Sequence, residues 1–128
     1  MENLDNIDIN KCLNDLQKSK FRASFKLKKT DFDYIDKKGL DVIKSHAKDF
    51  IKTRLAPTQP TNDGKQTPMH GHPAFVAQHA TATCCRGCFE RWWHIKKGHM
   101  LTESEQNFAV NLVMGWISRQ IETNKSKE

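Results

Sequence analysis

Three of the four cysteines and five of the six histidines of this chain fall between Thr67 and His99, in the run TPMHGHPAFVAQHATATCCRGCFERWWHIKKGH. Thiolate and imidazole are the donors that first-row metals accept in mixture, so this crowding marks where chemistry belongs. Spacing then decides which donors can converge. Pro73 suits the first turn of a helix and predicts a short one over Pro73–Ala80, with His72 at its entrance and His79 about 10 Å further along the axis. Thr83 is placed to cap a second helix starting at the cysteines, on which Cys84 and Cys88 stand at i and i+4 and Cys85 and Cys88 at i and i+3. The simplest ligand set is Cys88, one or both of Cys84 and Cys85, and His79, with His72 or His94 completing a tetrahedron. Zinc is the expected cofactor, because it takes such mixed sets and lends folding energy to a small domain. An iron–sulfur cluster fits less well, since only three cysteines are local.

A second reading gives the same cysteines chemistry of their own. Thiols at a helix N-terminus gain thiolate character, Arg86 adds a positive charge, and His79 would be the partner base of a cysteine-dependent enzyme. Cys85 and Cys88 would equally serve as a thiol redox switch. The plainest alternative is that these cysteines are buried small hydrophobes, the commonest fate of a free cysteine. No carboxylate lies between Lys65 and Phe89, so a zinc hydrolase working through a glutamate base has no local candidate. Were the metal catalytic, His72 or Gln78 would support it from the next layer. Whether the protein is an enzyme stays open at this point.

The elements that must position the cluster are mainly helical. Apolar residues Ile43, Ala47, Phe50, Ile51 and Leu55 recur at threes and fours and stop at Pro57. Thr102 and Glu105 form a capping box ahead of Ala109, Leu112, Val113, Trp116, Ile117 and Ile121. Asp31–Lys37 reads as a shorter helix capped by Thr30 and ended by Gly39, and Leu4–Leu16 as another. Phe21, Ala23, Phe25 and Leu27 alternate with polar residues, which admits a short strand or hairpin near the N-terminus, although Phe21 and Phe25 also suit a helix. Between Pro57 and Pro73 runs one long loop with a turn signal at Asp63-Gly64. The expected architecture is a small, mainly α single domain over residues 18–122, with a peripheral helical segment at 1–17 and a polar tail at 123–128.

Composition bounds the partners. At 128 residues with 37% hydrophobic and 28% charged residues, the chain can bury one core and is too apolar for wholesale disorder. No run nears a membrane span, and the polar start MENLDNIDINKCLNDL is unlike a signal peptide, so a cytoplasmic location without a membrane partner is expected. The net charge of +6 is matched by one segment, since Lys18, Lys20, Arg22, Lys26, Lys28 and Lys29 come without an acid between them. A basic stripe can neutralise phosphates, which makes nucleic acid the candidate partner, against the plainer reading of a solvated face. Trp92 and Trp93 beside Arg91, Lys96 and Lys97 could stack on bases, although core packing explains at least one of them more simply. The sequence leaves the oligomeric state open.

The run Gly71-His72-Pro73 through Gln78-His79-Ala80-Thr81-Ala82-Thr83-Cys84-Cys85-Arg86-Gly87-Cys88, with RLAPTQPTNDGKQ before it and GWISRQI near the end, resembles a bacterial family named only as domain of unknown function 4186. The resemblance spans about Phe21 to Ile121 and implies no activity or cofactor. Where the family pattern has arginine this chain has His70, and its histidine after the tryptophan falls at Trp93, with His94 one step later. Both departures weaken His70 and His94 as ligands in favour of His72, His79 and the cysteines.

Overall fold

A computed structural model describes residues 4–60 and 64–126, and among these the regular structure is helical, with no strand. After a 3-10 turn at Leu4–Asn6 come α1 (Ile9–Gln17), α2 (Lys20–Ala23), α3 (Lys29–Lys38) and α4 (Leu40–Phe50), which runs on into a π-helical turn at Ile51–Leu55. A long connection then leads to α5 (Pro73–Ala80), α6 (Arg86–Trp93) and α7 (Glu103–Ser126). Asp63 of the expected Asp63-Gly64 turn lies outside the described residues.

The 24-residue α7 is the axis of the fold. Its buried residues Phe108, Ala109, Leu112, Val113, Trp116 and Ile117 meet α5, α1 and α4, so it is sheathed on several sides. Its start is the expected capping box: the Glu105 N–H donates to Thr102 Oγ1 at 3.1 Å, and the Thr102 N–H to Glu105 Oε1 at 2.9 Å. The helix continues through Ser126, past the point where a tail was expected. The N-terminal segment contributes to the core: Leu13 and Leu16 of α1 are buried against it. Gly115 allows the approach, since a Cβ there would stand 3.1 Å from Leu13 Cδ1 and 3.3 Å from Ile9 Cγ2.

Two local expectations are corrected. The alternating segment forms no strand; Ser19 caps the short α2 by accepting the Arg22 N–H at 3.2 Å, and the Leu27 N–H ends on Gln120 Oε1 at 3.1 Å. A single hydrogen bond from α7 takes the place of a strand partner. At α3 the helix begins before Thr30, because the Asp31 carboxylate reaches back to the Lys28 N–H at 2.9 Å.

Candidate metal centre

The cysteines are placed by a tight turn after α5. Thr81 closes α5, its hydroxyl donating to the Ala77 carbonyl at 2.7 Å, and Ala82 then turns with φ +59°. A left-handed alanine costs roughly 1–2 kcal/mol, and its neighbours hold it: Trp93 Nε1 donates to the Thr81 carbonyl at 2.9 Å, and Gln78 Nε2 to the Thr83 carbonyl at 3.0 Å. Thr67 Oγ1 donates to the Cys84 carbonyl at 2.8 Å and so ties the long connection to the same turn. Cys85, not Thr83, is the N-cap of α6, with φ −157° and its Sγ accepting the Cys88 N–H at 3.4 Å. Cys84 is therefore not on the helix, and the expected i and i+4 pairing does not occur. The turn achieves the convergence instead: the sulfurs of Cys84, Cys85 and Cys88 all lie within 4.8 Å of one another.

The electrostatics of this group depend on a residue from the other end of the domain. Arg22 is buried, with Nη1 donating to the His79 carbonyl at 2.6 Å and lying 3.9 Å from Cys84 Sγ. Hydrogen bonds from the Cys84 and Cys85 thiols hold Cys88 well below the ordinary thiol range, and Arg22 adds to this against the effect of burial. Cys84 is pushed the other way by its hydrogen bonds with Cys85 and Cys88 and by burial. The Cys88 thiolate is thus favoured and the Cys84 thiolate disfavoured, which is the behaviour of thiols that share one site. A cation bound among them would relieve the second effect.

The histidines are not brought into the sulfur group. His79 turns Nε2 to the Thr67 and Pro68 carbonyls at 3.1 and 3.2 Å, so it carries its proton there, and its ring stacks on Phe25 at 5.7 Å. His72 is the N-cap of α5: its Nδ1 accepts the Ala74 N–H at 3.0 Å, and its Nε2 meets His46 Nδ1 at 3.0 Å. With Nδ1 occupied as an acceptor, neutral His72 must donate from Nε2 to His46. Burial first, and His46 second, lower the His72 pKa to about 4. His94 is the exposed left-handed cap of α6, with φ 62°, and His99 pairs with Glu105 at 2.8 Å. Of the expected sulfur and imidazole donors, the structure brings the three sulfurs together, whereas the His72 and His79 rings turn to hydrogen-bond partners elsewhere and His94 stands exposed.

The sequence model of a family described as Domain of unknown function (DUF4186) matches residues 10–118. The chain belongs to this family. No solved structure matches it. In this DUF4186 domain the matched span takes in α1 through most of α7, and with them Arg22 and the three cysteines.

The basic stripe divides. Lys18, Lys20, Lys26, Lys28 and Lys29 are exposed, whereas Arg22 is 5% exposed and cannot meet a phosphate at the surface. Arg86, expected to charge the cysteines, is also buried; it donates to the Pro57 carbonyl at 3.0 Å and the Lys96 carbonyl at 3.0 Å. Its guanidinium closes the end of the π-helical turn. Trp92 and Trp93 are half-buried against the core, and Trp93 stands edge-on to Phe108. Sequence reasoning missed Arg22 as a neighbour of Cys84, 62 residues away. The available hint was a lone arginine among lysines, the cation that retains its charge when buried.

Proposed function

We propose that this DUF4186 domain is a small zinc-binding module whose metal is structural and whose exposed lysines contact nucleic acid. One observation carries the metal reading: three sulfurs from a turn and a helix start lie within 4.8 Å of one another, beside a buried arginine. Zinc–sulfur bonds in a tetrahedron set sulfurs about 3.8 Å apart, which that spacing admits. Three thiolates around a divalent cation leave one net negative charge, and Arg22 stands where it would balance it. Cys84, Cys85 and Cys88 would hold the ion, leaving a fourth place to water or to a donor from a partner. Since Thr67 fastens the long connection to Cys84, the ion would clamp that connection, the turn after α5 and the start of α6 together. The absence of a carboxylate between Lys65 and Phe89 supports a structural role over hydrolysis.

Elemental analysis of the purified protein, with thiol titration before and after chelation, tests this. One equivalent of zinc that masks three thiols is the expected result. Cobalt substitution should give the absorption of a tetrahedral, sulfur-rich site. Metal-free protein with every thiol reactive and the same melting temperature would refute it. A second reading, a redox or nucleophilic thiol, draws on the thiolate character of Cys88 and its half-buried position. It predicts rapid, selective alkylation of Cys88 below pH 7 in folded protein, where a zinc-bound thiolate stays slow.

A further inference from the structure

The α2–α3 connection faces the chain before α5 across an open cleft of about 600 Å³. That size lies within the range of small-molecule sites. Its lining combines three chemistries. Lys26 and Lys28 supply charge, and among the described residues neither ammonium has a carboxylate within 4.0 Å. Phe25 and Tyr34 supply flat apolar surface, each steadied from behind, Phe25 by stacking on His79 at 5.7 Å and Tyr34 by edge contact with His72 at 5.3 Å. Asp31 supplies an acceptor; one of its oxygens takes the Lys28 N–H at 2.9 Å, so the carboxylate is fixed at the mouth of α3. His70 stands on the facing lip because Gly71, with φ +104°, turns the chain between it and buried His72.

These groups select among anions. Inorganic phosphate would use the lysines, gain nothing from the aromatic walls and be repelled by Asp31. A fatty-acyl chain would have no use for a fixed carboxylate. A nucleotide uses all three: a phosphate for Lys26 and Lys28, a base for the aromatic wall, and an exocyclic amine or sugar hydroxyl to donate to Asp31. We propose that this cleft seats one unpaired nucleotide of single-stranded nucleic acid, its phosphate toward Lys26 and Lys28 and its base against Tyr34. The inference rests on the nucleic-acid reading above and sharpens it, because a paired base offers no free face to an aromatic ring.

The test is fluorescence anisotropy of the full-length protein with a labelled single-stranded oligonucleotide and with its duplex, over a salt series. Single strands should bind more tightly than the duplex. Tyr34→Ala should weaken single-strand binding about tenfold with the salt slope unchanged, as loss of one stacked base does. Lys28→Glu, on the surface and harmless to the fold, should weaken binding and reduce the slope by about one. Lys18→Glu with Lys20→Glu, outside the cleft, should lower affinity equally for single strand and duplex. Duplex binding as tight as single-strand binding, or a folded Tyr34→Ala variant indistinguishable from the parent, would overturn the cleft and leave the lysines as a general phosphate surface. No binding of either probe at low salt would overturn the cleft and the nucleic-acid reading together. Binding lost through Lys28→Glu but untouched by the Lys18 and Lys20 reversals would uphold the cleft and restrict the broader surface to it.

Discussion

The chain buries donor groups in two places, and they are treated differently. Around His72 every ring nitrogen is spoken for: one accepts from Ala74, the other meets His46, and Tyr34, Phe50 and Phe75 surround the ring. Around Cys84 the sulfurs have one another, the Cys88 N–H and a long contact from Arg22. A donor whose hydrogen bonds are complete is structural, and binding a metal there would cost the bonds it already has. Donors that share protons among themselves beside a fixed cation charge are close enough together to hold a metal ion. The difference separates a histidine whose bonding is complete from a sulfur group able to take an ion better than residue type does.

The largest expected effect is at Cys88. Cys88→Ala should remove the metal and lower stability by about 4 kcal/mol or more, the scale on which losing a bound metal acts. Metal analysis and urea unfolding on the same preparation check it, and a variant that loses stability while keeping its metal would reduce the cysteines to core filler. Arg22→Ala comes next. It leaves the His79 carbonyl unpaired and the thiolates without their counter-charge, so stability should fall by about 2 kcal/mol and metal affinity about tenfold or more. Competition with a chelator of known affinity measures the latter.

The histidine side of the comparison is tested by pH. The folded pKa of His72 is about 4, below the 6.5 of the unfolded ring, so the unfolded chain takes up a proton first as pH falls. Its contribution to stability is therefore complete above pH 6.5 and is lost progressively down to about pH 4. His72→Asn keeps an acceptor for the α5 cap and removes the titration, so the stability gap between parent and variant should narrow over that window. A gap constant with pH would mean that folding leaves the His72 pKa where it stands in the unfolded chain. His79→Gln should keep the metal in full and cost about 1 kcal/mol, for one carbonyl hydrogen bond. Stoichiometric loss of metal in this variant would make His79 a ligand and break the comparison. Cys12→Ala, remote from the sulfur group, should change metal content not at all and stability by less than about 1 kcal/mol.

Much of the frame was legible because it depends on near neighbours in the chain. The capping box at Thr102 and Glu105, the start of α5 at Pro73 and the amphipathic run ending at Leu55 are short-range features, and each sits where its residues require. The segment around Phe21 was not legible, because whether an alternating run becomes a strand depends on a partner, and here Gln120 of α7 takes the Leu27 N–H. Helical spacing suggested the wrong route to a cysteine cluster that nonetheless forms, since Ala82 rather than a helix face brings Cys84 round.

The sequence by itself determined that this would be a helical domain with its cysteines and histidines crowded between Thr67 and His99, because periodicity, caps and local crowding act over a few residues. Only the tertiary structure decided which donors remain available. That depends on hydrogen-bond partners distant in the chain: His46 for His72, Thr67 for His79, and Arg22 for the cysteines. Buried polar groups must be satisfied by whatever folding brings within about 3 Å, and residues so far apart along the chain meet only when α2, α4 and α5 pack.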